Sequence, residues 1–269
     1  MTTADHIGVF DSGVGGLTVL RELVRALPGK RFVYLGDTAR VPYGTKSAET
    51  VVKYALGAAR VLADRAQLGA LVVACNTASA VALDALRSAL AVPVFGVIEP
   101  GAAAGVAATR VGRVAVLATP ATIASRAYEH AIHALDRRVR VFGIACPLFV
   151  PLAEAGWVDD DVARLVAERY LHPIVNGTAR DVDTVILGCT HYPLLDRVIR
   201  RTVGRGRRVV DSASATAADV ALALGAVTAS RARARAHIEV LVTDRAMGVA
   251  ETARRFFGDS VGRIARVDL

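Results

Sequence analysis

Residues 71–80 read LVVACNTASA and residues 185–194 read VILGCTHYPL. In both, a short apolar run ends on a small residue, and a cysteine follows with two hydrogen-bonding residues behind it. A run without polar alternation suits a strand covered on both faces, as in a parallel sheet. The Ala- and Ser-rich residues after Cys75 suit the start of a helix. Each stretch therefore predicts a strand-to-helix turn with a thiol at its mouth.

Comparable runs recur along the chain, at 7–10, 32–35, 71–74, 94–97, 114–117, 139–143, 184–187, 208–210 and 238–242. Segments with helical spacing lie between them, at 48–65, 78–90 and 159–172. Strands alternating with helices predict an α/β fold with mainly parallel sheets flanked by helices. Ligand sites in such sheets lie just beyond the carboxyl ends of the strands. The residues there are DSGVGG (11–16), GDTARVPYG (36–44), CNTAS (75–79), ATPATI (118–123) and GCTHYP (188–193). They concentrate Asp, Asn, Gly and hydroxyls in an otherwise apolar chain.

The pattern also repeats internally. IGVFDSGVGGLTVL (7–20) lies on VAVLATPATIASRA (114–127), and LVVACNT (71–77) lies on VILGCTH (185–191). Two similar lobes related by a pseudo-twofold follow, with the Cys75 and Cys189 loops on opposite walls of one cleft. The expected division is 1–97 plus 210–269 for the first lobe and 98–209 for the second. The chain returns to the first lobe because DSASATA (211–217) and the last helix have no partner sheet of their own.

Composition narrows the function classes. The chain has 269 residues, 53% hydrophobic and 22% charged, which suits a folded globular protein. No apolar run approaches the roughly 18 residues of a membrane span. The N-terminus lacks a basic region followed by an apolar one, so no secretory signal is expected. Three cysteines do not make a disulfide framework, and free thiols in a reducing cytoplasm are expected. Net charge is +8, with 33 basic residues of which only Lys30, Lys46 and Lys53 are not Arg. The Arg residues are scattered. The one dense run, RARARAH (231–237), reads as a solvated loop or helix end rather than a nucleic-acid site. A basic nucleic-acid-binding module stays as an alternative that predicts salt-sensitive DNA binding.

A thiol at a helix start feels the helix dipole and the free N–H groups of the first turn, which favour the thiolate and predict a lowered pKa. The neighbours Asn76–Thr77 and Thr190–His191 can grip a carboxylate beside it. Cys146, in IACPLFVP (144–151), lacks such neighbours and reads as packing. The spacing of Gly13, Gly15 and Gly16 is not GxGxxG, so no dinucleotide is expected, but Asp11 and Ser12 are placed to face a ligand. His191 can tune or relay a proton for Cys189. The two cysteines lie far apart without a CxxC pair, so no metal is expected.

FDSGVGGLTVL, GDTARVPYG, ACNTAS, ACPLFVPLAEAG and LGCTHYPLL, in that order, resemble the glutamate racemases; the aspartate racemases are similar in logic. The resemblance runs from Ile7 to about Asp211 and continues more loosely beyond. It implies a cofactor-independent, cytoplasmic enzyme of bacterial cell-wall synthesis, usually dimeric, acting on glutamate. It implies that Cys75 and Cys189 are the two acid/base residues, Cys75 acting on D-glutamate and Cys189 on L-glutamate. Asp11 would assist Cys75, and His191 and Glu154 would serve Cys189. Ser12, Tyr43, Gly44, Asn76, Thr77, Thr119, Thr122 and Thr190 match substrate-binding positions, with Asp11 and His191. The chain shows no long N-terminal extension of the kind found in members activated by a cell-wall precursor, so such activation is not expected. Racemisation needs a base on one face and an acid on the other, which suits two equivalent groups. Pyridoxal phosphate would need a Schiff-base lysine, and the three lysines lie in unpromising contexts. An amino-acid racemase for another substrate, such as aspartate, is the nearest alternative.

Overall fold

The computed structural model describes residues 6–225, 236–244, 248–258 and 263–269. Most of the basic run at 231–237, namely 231–235, lies outside them, as do the first five residues. Ten strands are present among the described residues: β1 (His6–Asp11), β2 (Arg31–Gly36), β3 (Leu68–Val73), β4 (Val94–Phe95), β5 (Arg113–Ala118), β6 (Arg140–Ala145), β7 (Thr184–Gly188), β8 (Arg208–Asp211), β9 (His237–Val242) and β10 (Ile264–Arg266). They form two sheets, ordered β10-β9-β2-β1-β3-β4 and β6-β5-β7-β8, and every pairing is parallel. The order β2-β1-β3-β4 reappears as β6-β5-β7-β8. The internal repeat thus appears as topology: β5 stands where β1 stands, and β7 where β3 stands.

Differences from the expected elements have local causes. The run at 94–97 yields a strand of only two residues, because Val97 already takes helical backbone angles and the helix Ile98–Ala108 begins. The helix expected over 78–90 is two, Asn76–Val81 and Leu83–Ala89, broken at Ala82. β10 was not expected; three residues carry too little periodicity to announce a strand. By contrast the helix over 48–65 has the expected bounds, with Ser47 accepting the Thr50 N–H at its start.

The central strands are buried along almost their full length, which is why they read as unbroken apolar runs. One large apolar cluster joins both sheets, from Val9 and Val72 through Ala115 and Leu187 to Phe149 and Phe256. Cap residues end several strands or follow them directly. Thr119 accepts the Thr122 N–H, and Asp211 accepts the Ala213 N–H. Such caps end the strand and aim the loop at the same edge of the sheet. No described helix is long and apolar enough to cross a membrane.

Candidate active site

β1 and β3 are neighbours, and the chain leaves β1 toward β2 on one side before returning to β3 on the other. The carboxyl ends of β1 and β3 therefore flank a topological switch point, the place where ligands bind in open parallel sheets. Asp11 ends β1, and Cys75 follows β3 by two residues. In the second sheet, Thr119 follows β5 and Cys189 follows β7 at the equivalent point.

Cys75 caps the helix Asn76–Val81. Its sulfur accepts the Ala78 N–H at 3.5 Å, and its thiol donates to Ser12 Oγ at 3.5 Å. Cys75 is 5% exposed, and burial pushes the thiol up to about 12, with the Asp11 charge adding to the rise; Ser12 and the Ala78 N–H pull the other way. The lowered pKa expected from the helix start is thus corrected: one long hydrogen bond from a short helix does not offset the loss of water around the sulfur. Asp11 is fully buried. Burial raises its pKa, although His191 and the N–H groups of Gly16, Gly13 and Ser12 work against the rise. Its Oδ2 accepts the Gly13 N–H at 3.0 Å, and its Oδ1 has no partner.

Cys189 keeps different company. His191 Nδ1 stands 3.8 Å from its sulfur and 3.3 Å from Thr190 Oγ1, while His191 Nε2 stands 3.0 Å from Glu154 Oε1. Burial alone would lower the imidazole pKa, but the hydrogen bonds to Cys189 and Glu154 raise it to about 10. At neutral pH the ring is an imidazolium held between a sulfur and a carboxylate. Cys189 is 7% exposed.

Hydroxyls and an amide join the two sides. Thr77, from the first, shares hydrogen bonds with Thr119 Oγ1 (3.0 Å) and Thr122 Oγ1 (3.2 Å) from the second, and those two are 3.0 Å apart. Asn76 Nδ2 donates to Tyr128 Oη at 2.9 Å, while Asn76 Oδ1 is buried without a donor. Thr18 Oγ1 donates to the Thr190 carbonyl at 3.3 Å. Two glycines stand where the sides touch. A Cβ on Gly15 would meet His191 Cε1 at 2.5 Å, and a Cβ on Gly44 would meet Thr119 Cβ at 2.6 Å. Both positions exclude any side chain.

Of the residues singled out in the sequence, Asp11, Ser12, Cys75, Asn76, Thr77, Thr119, Thr122, Cys189, Thr190, His191 and Glu154 meet in these networks. Gly44 reaches them through its close approach to Thr119. Tyr43 does not bring its hydroxyl: Tyr43 Oη donates to the buried Asp37 at 2.6 Å, and the ring lies against Phe10 and Tyr54. Sequence reading missed Asp37, which also accepts from Thr243 Oγ1 (2.8 Å) and Arg40 Nε (3.0 Å). It also missed Tyr128 and Thr18. Asp37 lay within the quoted loop GDTARVPYG, so its strand-end position was the signal available. Cys146 is fully buried, and burial raises its pKa; its sulfur has only a 3.6 Å contact to the Ile144 carbonyl. No group of three or more His, Cys, Asp or Glu among the described residues is arranged to hold a metal ion.

A family model described as Asp/Glu/Hydantoin racemase matches residues 7–220. The chain is 51% identical to a glutamate racemase of Geobacter metallireducens over 98% of its own length and 96% of that protein. The crystal structure of glutamate racemase from Thermus thermophilus with beta-chloro-D-alanine superposes with a TM-score of 0.84 at 45% identity, covering 99% of this chain and 98% of that one. A structure of the Francisella tularensis glutamate racemase with D-glutamate gives a TM-score of 0.86 at 33% identity, covering 98% of each chain.

Proposed function

The chain belongs to the Asp/Glu/Hydantoin racemase family, and from that premise we propose that it interconverts L- and D-glutamate without a cofactor, Cys75 and Cys189 acting as the acid/base pair. The observation that carries this reading is the pair of buried thiols at equivalent strand ends of the four-strand order the two sheets share, Cys75 bonded to Ser12 and Cys189 beside His191. Glutamate racemases among the relatives favour glutamate over aspartate as substrate.

The division of labour follows from the two environments. Cys75, with its thiol pushed up to about 12, rests as the proton donor. Cys189, with His191 Nδ1 at 3.8 Å from its sulfur, is assigned the role of proton acceptor in this direction. L-Glutamate then loses its α-proton to the Cys189 sulfur. The electron pair of the broken C–H bond stays on Cα and spreads into the carboxylate. The Cys75 S–H proton forms the new C–H bond on the opposite face, giving D-glutamate and leaving Cys75 as thiolate. The reverse direction uses the same groups with roles exchanged. Asp11 serves the Cys75 side, and His191 with Glu154 serves the Cys189 side.

Binding follows from unmet valences. Asp11 Oδ1 and Asn76 Oδ1 are buried acceptors without donors, and the substrate ammonium supplies them. Ser12, Thr77, Thr119, Thr122, Thr190 and the Tyr43–Gly44 backbone supply hydroxyls and N–H groups for the two carboxylates. Such fixed donors also stabilise the carbanion-like state. We take the first lobe as 1–97 with 210–269, and the second as 98–209. A cytoplasmic homodimer that supplies D-glutamate for peptidoglycan completes the reading.

The test is incubation with L-glutamate in deuterated water without added cofactor, with L-aspartate run in parallel. Loss of optical rotation with α-deuterium incorporation is expected for glutamate. No rotation change and no exchange would overturn the reading, and a faster reaction with aspartate would reassign the substrate.

A further inference from the structure

We infer that Phe256, on the helix Val249–Phe257, is a positioning residue for the second acid/base centre, a conclusion that rests on the proposed racemase mechanism. The His191 ring is bonded at both nitrogens, to Cys189 and to Glu154. Both bonds depend on the side-chain torsions, above all the rotation about the Cβ–Cγ bond, which carries Nδ1 toward or away from the Cys189 sulfur. Contacts on the flanks of the ring set that rotation. Gly15 closes on Cε1, and the Phe256 ring stands edge-on to the imidazole, 5.1 Å between centres and 78° between planes. Phe256 is fully buried. Aromatic pairs at that separation and angle have a preferred geometry, so the contact orients as well as fills space.

The same helix end also holds the partner of the histidine. Arg255 Nη1 donates to the Glu154 carbonyl, and its Nη2 donates to Glu251 at 2.6 Å. Arg21 Nη1 donates to the Phe256 carbonyl at 3.3 Å, which ties the helix to the helix Leu17–Ala26 that follows the DSGVGG loop. The C-terminal segment that supplies β9 and β10 to the first sheet thus reaches across to the His191–Glu154 pair.

The inference predicts an asymmetric lesion. Phe256→Leu removes the ring, and Phe256→Met keeps more of its volume in case the first variant folds poorly. Each should lower kcat by about tenfold, since misaimed catalytic groups lose rate steeply with displacement. The deciding readout is the primary isotope effect with α-deuterated L-glutamate against α-deuterated D-glutamate. Proton transfer at Cys189 becomes slower, so the effect should grow for the L substrate relative to the D substrate. In a His191→Asn background, Phe256→Leu should leave that ratio unmoved. A wild-type ratio in folded Phe256→Leu and Phe256→Met enzymes, with only a lowered melting temperature, would reduce Phe256 to packing and overturn the inference. Failure of the wild type to racemise glutamate would instead strike the mechanism beneath it.

Discussion

The two cysteine loops stand at the same point of the four-strand order the two sheets share, yet they are solved with different chemistry. Around Cys75 the charged neighbour is a buried carboxylate, Asp11, and the thiol is driven up. Around Cys189 the neighbour is a buried imidazole, which Cys189 and Glu154 hold in its charged form. Topological symmetry therefore coexists with electrostatic asymmetry. A symmetric reaction does not require identical bases; it requires one proton held on one side and one vacancy for a proton on the other. His191 beside one sulfur and Asp11 beside the other give the two sides different electrostatic surroundings.

The largest expected effect breaks the pair outright. Cys75→Ala and Cys189→Ala should each lower racemisation by roughly a thousandfold or more, as loss of a catalytic acid or base does. The two variants should still differ: the Cys189 variant keeps slow α-proton exchange with D-glutamate, and the Cys75 variant with L-glutamate. Exchange of both enantiomers by either variant, measured by proton NMR in deuterated water, would contradict one thiol per face. Cys146→Ala serves as the control and should retain activity.

A smaller effect separates the helpers. Asp11→Asn and His191→Asn should each lower kcat by about ten- to a hundredfold. L- and D-glutamate have equal free energies, so kcat/KM must fall by one factor in both directions in either variant. The difference lies in isotope effects, which should rise with deuterated D-glutamate for Asp11→Asn and with deuterated L-glutamate for His191→Asn. Matching shifts in the two variants would erase the asymmetry argued here.

The smallest effect is on stability. The folded His191 binds its proton up to about pH 10, against about 6.5 when unfolded. The raised value means that its stabilisation is complete below about pH 6.5 and is lost as pH rises toward 10. Below about pH 8, Cys75 adds little to that trend, because its thiol is largely neutral both folded and unfolded. The melting temperature should therefore fall between pH 6.5 and 8 in the wild type and fall less in His191→Asn. Equal slopes by calorimetry would remove the imidazolium from the comparison.

Much of this arrangement was legible in the sequence because parallel strands announce their own ends. A buried run stops, and the next polar residues lie at the sheet edge, which is how Asp11, Cys75, Thr119 and Cys189 could be picked out. Repetition then joined two loops far apart in the chain. Features set by burial or by distant partners were not legible. The rise of the Cys75 thiol depends on how much water the fold removes, which a helix-start argument does not measure. Tyr43 read as a ligand group, but its hydroxyl is taken by Asp37, a pairing that only the fold around β2 creates. Phe256 sits among arginines near the end of the chain with nothing nearby to mark it, because its partner is His191.

Under the proposed mechanism, the near-complete burial of both sulfurs gives the enzyme a memory. Each conversion of L- to D-glutamate leaves the proton on Cys189 and the charge on Cys75, the inverse of the starting arrangement. With so little solvent contact, the sulfurs cannot trade protons freely while Thr77, Thr119 and Thr122 stay bonded across the two sides. That mechanism then predicts two forms of the free protein, each competent for one enantiomer and carrying the record of the last product released. At high substrate concentration the limiting step should then shift from breaking a C–H bond to resetting that record, which a primary isotope effect that fades as substrate rises would check.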